Sequence, residues 1–588
     1  KWQDIYTLPD SRSMIHRYHY SLAAIPASNY KPRLADDRLG HFTTIYQDYS
    51  NLLTEDPYVR YINRWHLEKE DPKAKISKAK IPIVFWLENT IPVEFREACR
   101  KGLLLWNDAF EKIGITDAIV VKEMPDDADW DPADSRYNTI RWFIQPGGGY
   151  AVGPSHANPF TGELYDADVR ISVDFMRYFF LEYEELINPC GWVQGLQSAR
   201  WEETDLNNYY EGDAFASGLS QQMSFGWNIL QTRGIFQENT VDMKEFVDQG
   251  IIALVVHEVG HTLGLRHNFK ASTYYKTEEL QDKKFTSKNG ISGSVMDYTP
   301  LNLAPINGKQ GDYFQVQLGN WDYWVIEYAY SIFDEKKETK ELEKIARKCT
   351  EPYLDYGTDE DTYGYSSRGV DPLCNMFDLG SDPISYHEER IELAREIWKD
   401  IPKNFEKKGK SYKKLRSVFG LALREYRSAA NNVSKYVGGL YSHRDHIGDP
   451  DGRPPFEVVS AAEQRRALNF LTQNILAENA FDFDPELLNK LVLEKMGKFT
   501  GSIWEAERQD YPIHTVVAEI QAIILSHLYD SIVLGRLHDN AVKFDENADI
   551  FTMAEMFLTM KNSIWNELTD SGNITVTGVN CRGSIFTG

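Results

Sequence analysis

The sequence predicts an α+β fold in which strands surround one long helix and a second, buried helix over residues 78–305, followed by a mainly helical domain over 306–588. Three observations predict it. Short apolar, β-branched runs recur between residues 81 and 173, with a single long amphipathic segment among them. A buried helical run then ends in H-E-V-G-H-T-L-G-L-R-H, from His257 to His267. From about residue 340 onward, amphipathic segments at helical period dominate.

Residues 1–77 mix strand-like runs such as His16 to Ala24 with turn residues and an acidic-basic linker near Glu68 to Lys80. They read as the end of an upstream domain packed on the core. Ile81 to Leu87 is a strand, and Val93 to Ile113 a helix with Phe95, Cys99, Leu103, Trp106 and Phe110 on one side. Ala118 to Lys122 and Thr139 to Ile144 follow as strands. Gly147 to Gly149 punctuate the chain, Tyr150 to Gly153 begins another extended piece, and Asp168 to Val173 alternates as a further strand. Residues 175–240 form a long aromatic insertion (Trp192, Trp201, Tyr209, Tyr210 and Trp227), which reads as scaffold or as a lid over a cleft. Asp242 is placed to cap the next helix, with Glu245 three residues later. The run Ile251 to Val256 is apolar nearly all round, so that helix is expected to be buried. Beyond residue 305, helices are expected at Lys340 to Lys348, Glu388 to Trp398, Tyr412 to Lys435, Ala461 to Leu476 and Val516 to Leu537.

The chemistry lies in the histidine run. His257 and His261 are four residues apart and share one helical face. Glu258 is adjacent, within reach of a water held by a metal. Gly264 lets the chain leave the helix sharply, with positive φ, so that His267 returns as a third ligand. Three neutral imidazoles around zinc leave the fourth position open, the arrangement of a catalytic and not a structural site. A zinc so held lowers the pKa of water, Glu258 acts as general base, and the product is a hydrolysed bond.

Ser294 to Tyr298 reads S-V-M-D-Y. With that segment, the chain resembles the metzincin zinc peptidases, whose signature is HExxHxxGxxH followed by a methionine turn. The resemblance implies a twisted mixed sheet with an edge strand, an active-site helix and the turn. It implies Met296 as the floor beneath the metal and Tyr298 as a ligand of the zinc or a donor to the reacting oxyanion. It also implies that Tyr150, Ala151, Val152 and Gly153, within the stretch to Ser155, form the edge strand that pairs with an extended substrate by β-augmentation. Lys31 to Gly40, Ile81 to Thr90, Asn320 to Trp324, and Asp371 to Asn375 with Asp378 to Gly380 are similar to a family of large secreted bacterial metallopeptidases. Together these resemblances imply a zinc-dependent endopeptidase of protein or peptide substrates outside the cytoplasm. Two alternatives stay open: a binding or adhesion protein that retains its zinc, and a zinc hydrolase of non-peptide bonds.

Composition excludes some partners. Acidic residues number 88 against 64 basic, for a formal charge of −24, which argues against nucleic acid and anionic membrane. No run of about 18 apolar residues offers a transmembrane helix. No signal peptide is visible, and the opening at Lys1 reads as a processed or truncated form, compatible with an upstream lipid anchor. Nothing in the sequence specifies an oligomeric state. The five cysteines (Cys99, Cys190, Cys349, Cys374 and Cys581) are widely spaced and form no CxxC. They read either as scattered buried thiols or as including a Cys349–Cys374 pair. Asp371, Asn375, Asp378 and Asp382 read as calcium ligands or as caps and turns. His443 and His446 form an H-x-x-H that suits a second metal or a solvated loop. Asp166 and Asp168 flank a strand near the cleft, where structural hydrogen bonding is expected.

Overall fold

The computed structural model describes residues 15, 18, 20–25, 28–143, 151–172, 215–235, 241–362, 368–493 and 508–565. The described part is a mixed α+β architecture around a five-stranded sheet. Strand order across that sheet is Ile119–Glu123, Ile83–Leu87, Asn138–Phe143, Val169–Ser172 and Ala151–Val152. The first four run parallel and the last is antiparallel to its neighbour, with Arg170 opposite Val152 and Ile171 opposite Ala151. The strand Ile83–Leu87 lies second in the sheet, between Ile119–Glu123 and Asn138–Phe143, and it buries Ile83, Phe85 and Leu87 on one face. The run is apolar throughout, with Val84 and Trp86 half-buried on the other face, as in a largely parallel sheet covered by helices.

The helix expected at 93–113 is two helices, Val93–Leu104 and Asn107–Lys112. At the break the Trp106 indole donates to the carbonyl of Val256 (2.9 Å). The Asn107 amide holds both main-chain groups of Ile119, at 2.9 and 3.0 Å. Side-chain bonds to the next strand and to the neighbouring helix thus accompany the break in periodicity. The neighbour is the long helix Val241–Thr262, in which Ile251, Leu254, Val255, Val256 and Val259 are buried, as its all-round apolar sequence requires. It begins at Val241, so Asp242 lies inside the first turn and not at the cap.

Among the described residues of 16–24 there is no strand. The segment 68–80 is folded back on itself and is not a free linker: Lys69 bridges Ala79, and Ser77–Lys78 runs beside Ile115–Thr116. Between these segments a hairpin of Thr43–Gln47 and Tyr58–Ile62 stands out from the core. Arg33 and Arg38 tie this region to later parts of the chain. Arg33 donates to the carbonyls of Tyr328 and Ala329 (2.6 and 2.9 Å), and Arg38 pairs with Asp36 and Asp449 (2.6 and 2.9 Å).

Beyond residue 305 the chain is mainly helical, and Pro383–Phe405 lies against Lys413–Ser434. A buried Arg390–Glu425 pair (2.7 Å) joins those two. The run expected as one helix at 516–537 is broken into Ile513–Leu528 and Ser531–Asn540, because Asp530 caps the second by accepting from the Ile532 amide (2.7 Å). One hydrophobic core runs from Leu39 to Ile564. No single helix among the described residues is long and apolar enough to cross a membrane. Cys349 and Cys374 are separate buried thiols, not a disulfide: the first lies against Asp449 and the second against the Thr358 carbonyl.

His41 marks a pH-sensitive point of this packing. It is buried beside Leu265, with Nε2 at 3.2 Å from the carbonyl of Val325 and no partner at Nδ1. Burial, reinforced by the Arg33 charge, pulls its pKa down to about 4. The folded state therefore favours neutral imidazole. Its contribution is intact above the ordinary value of about 6.5 and is lost as pH falls towards 4. The thermal midpoint of His41→Gln should fall less than that of the native protein between pH 7.5 and 4.5, a difference worth about 2–3 kcal/mol. Parallel falls would contradict this assignment.

Candidate active site

The helix Val241–Thr262 brings His257 and His261 to one face, and its exit is built to return the third histidine. Gly264 has φ of 93°, a conformation that other residues rarely adopt. A β-carbon there would also run into the Asn63 carbonyl. The Gly264 amide bonds to the His261 carbonyl (2.9 Å) and the Leu265 amide to that of Gly260 (3.1 Å), which closes the turn. His267 follows, and the ligating atoms of the three histidines lie within 4.8 Å of one another.

Each ring is oriented through Nδ1. His257 faces the Val295 carbonyl, His261 the Leu265 carbonyl and His267 the Asp359 carboxylate, each at 2.8 Å. An acceptor at Nδ1 fixes the proton there and leaves Nε2 as a lone-pair donor. Three neutral nitrogen donors converging in this way fit zinc. Asp359 is half-buried. Burial opposes its ionisation, yet the neighbouring His267 and Arg266 hold its carboxyl well below the usual range. Glu258 is fully buried beside His257.

The segment Ser294 to Tyr298 packs against the helix that carries His257 and His261. Met296 is buried, and its sulfur sits where a β-carbon on Gly260 would lie, so the glycine inside H-E-V-G-H is what lets the turn approach the helix. Asp322 holds the turn. It accepts from the Ser294 hydroxyl (2.7 Å) and from the amides of Val295 (3.0 Å) and Gly319 (2.7 Å), and burial pushes its pKa up to about 7. Asp297 accepts from the Ser272 amide (2.6 Å), and burial raises its pKa well above the ordinary carboxylate value. Tyr298 is buried with its ring 4.8 Å from that of His267 and 5.5 Å from that of His257, packed among Phe215, Phe269 and Phe377.

Among the described residues Ala151 and Val152 form the edge of the five-stranded sheet, and Gly153 passes so close to the helix Val241–Thr262 that a β-carbon would strike the Glu258 carbonyl. Tyr150 and much of the 175–240 insertion (175–214 and 236–240) lie outside the described residues. The described part of the insertion is the helix Phe215–Thr232, whose first residue stacks on Tyr298 and lies 4.4 Å from the His257 ring. From the other side the Phe42 amide bonds to the Gly264 carbonyl (2.8 Å), and its ring lies 5.8 Å from that of His261.

The four residues read as calcium ligands are engaged elsewhere, and the calcium expectation is corrected. Asp371 pairs with Lys270 (2.8 Å), and Asn375 accepts from Lys435 (2.8 Å). Asp378 accepts from Ser272 and Asn375 (2.7 and 3.0 Å), while Asp382 caps a helix and pairs with Arg466 (2.8 Å). Buried lysines take the place that a cation would fill. His443 and His446 turn apart, to Glu457 (3.1 Å) and Asp37 (2.6 Å) respectively; Asp36, Asp37 and His446 group closely but are largely exposed. Asp168 accepts from both polar groups of Thr139 (2.6 and 3.1 Å), and Asp166 meets His156 (2.9 Å), as structural hydrogen bonding requires.

Residue patterns did not single out Asp359, Asp322, Gly260, Phe215 or Phe42. Asp322 alone had a signal, since it lies in the N-W-D-Y-W block. The other four act through contacts that no spacing announces.

A family model described as Met-zincin matches residues 239–572, and one described as Domain of unknown function (DUF5117) matches residues 6–70. Searches of curated proteins and of solved structures each return no match. The first model covers more than half of the chain and takes in the three histidines, Glu258, the methionine turn, Asp322 and Asp359. With three imidazoles converging and that match over most of the site, the chain belongs to the Met-zincin family of zinc metallopeptidases.

Proposed function

We propose that the protein is a zinc-dependent endopeptidase in which Glu258 is the general base. The observation that carries this reading is the convergence of His257, His261 and His267 within 4.8 Å, beside a buried glutamate and a strand that is the sheet edge among the described residues. His257, His261 and His267 would hold the metal. Zinc, when bound, supplies Lewis-acid polarisation of a carbonyl and of water. Glu258 takes a proton from the attacking water and returns it to the leaving amine. The edge strand Ala151–Val152, continued by Gly153, offers main-chain groups to an extended peptide, which supplies the missing ladder partner.

Tyr298 donates its hydroxyl to the oxyanion that develops during attack. Support comes from its place against two of the three imidazoles. Tyr298→Phe should lower kcat by about 100-fold with little change in KM, as measured by steady-state peptide hydrolysis. An unchanged kcat would leave Tyr298 as packing only.

Internally quenched peptides blocked at both ends separate endopeptidase action from trimming of termini. Hydrolysis within blocked peptides is expected. Activity restricted to free termini, or to ester substrates, would overturn the reading. The resemblance to large secreted peptidases supports a place outside the cytoplasm, which cell fractionation would test.

A further inference from the structure

We propose that Asp359 is a positioning residue for the third zinc ligand, so that full zinc affinity depends on a side chain 92 residues beyond His267. The inference rests on the reading of the three histidines as zinc ligands.

The three rings are oriented by unlike partners. His257 and His261 belong to the helix, and their Nδ1 atoms face main-chain carbonyls fixed by the methionine turn and the glycine turn. His267 lies beyond the helix end, and its Nδ1 faces a side-chain carboxylate, Asp359 Oδ1, at 2.8 Å. At equal length, a hydrogen bond to a charged carboxylate is stronger than one to a carbonyl. It holds the proton on Nδ1, fixes the ring plane and makes Nε2 a better donor. The ligand least constrained by its backbone therefore has the strongest orienting acceptor.

Asp359 is itself held in place. The Thr358 hydroxyl donates to Oδ2 (3.1 Å), and the Arg266 guanidinium stands 3.5 Å from the same oxygen. The backbone just before it is tied to the chain that carries His267: the Phe269 amide bonds to the Gly357 carbonyl (2.7 Å), and the Gly357 amide to the Asn268 side chain (3.2 Å). Both ends of the His267–Asp359 bond are thus built on one pair of stitched segments. The neighbouring carboxylates do not touch His267: Glu360 pairs with Arg266 (2.5 Å), the guanidinium that also stands by Asp359, and Asp361 with Arg444 (2.7 Å). They provide a control that shares the segment but not the bond.

Zinc affinity by competition with a chromophoric chelator, together with the absorption spectrum of the cobalt-loaded protein, tests the proposal without recourse to activity. Asp359→Ala should bind zinc about 10–100-fold more weakly and shift the cobalt bands, and Asp359→Asn, which keeps a neutral acceptor of the same shape, should fall between it and the native protein. Glu360→Gln should stay within about twofold of the native affinity. If Asp359→Ala fails to fold, Asp359→Asn decides alone, and native affinity in it overturns the proposal. Native affinity in Asp359→Ala, or an equal loss in Glu360→Gln, overturns it as well. A native protein that binds no zinc would instead overturn the site reading, and zinc binding without peptide cleavage would overturn only the peptidase reading.

Discussion

Glu258→Gln should keep the fold and the zinc while losing about 10²–10⁴-fold in peptide turnover. The side chain is buried beside His257, one residue along a helix whose register is fixed by Val255, Val256 and Val259 in the core. Glutamine preserves the volume and the hydrogen-bonding reach but cannot take a proton near neutral pH. The loss should therefore appear in kcat, with zinc stoichiometry and thermal midpoint close to native. Zinc content by atomic absorption and steady-state hydrolysis of a quenched peptide would check it. A variant that turns over at the native rate would remove Glu258 from the chemistry.

Gly264→Ala should be the most damaging single-atom change near the site, at about 3–5 kcal/mol. Two effects coincide. The residue holds φ of 93°, which a β-carbon strains, and that carbon would meet the main-chain carbonyl of Asn63, which cannot rotate away as a side chain would. Relief requires movement of the turn that returns His267 to the cluster or of the N-terminal segment packed on it. The variant should therefore lose zinc affinity as well as thermal stability. A melting temperature within about 2 °C of native with full zinc content would show that the turn tolerates a side chain and that the third ligand does not depend on it.

Much of the site was legible because its geometry is local. Two histidines four apart on a helix, a glycine at the exit and a third histidine three residues later leave little freedom, and His257, His261, Gly264 and His267 lie as the spacing demands. The strands were legible for the same reason, since Ile83–Leu87 and Val169–Ser172 carry their own pattern. What was illegible is relational. Nothing about the sequence around Asp359 distinguishes it from other acidic turns, because its meaning comes from a contact with His267 across the fold. Asp371 and its neighbours looked like cation ligands because oxygen donors clustered in sequence, whereas the balancing charges are Lys270 and Lys435, distant along the chain. The helix breaks at Trp106 and Asp530 escaped for a related reason. Periodicity sees the apolar face, not the side-chain hydrogen bonds that interrupt it.

Hydrolysis of a diverse end-blocked peptide library by the purified protein, before and after zinc chelation and again after zinc is restored, tests the central claim most directly. The account predicts cleavage within peptides that chelation abolishes and zinc restores. A zinc-loaded protein that leaves the whole library intact, or cleavage that chelation does not touch, would contradict it.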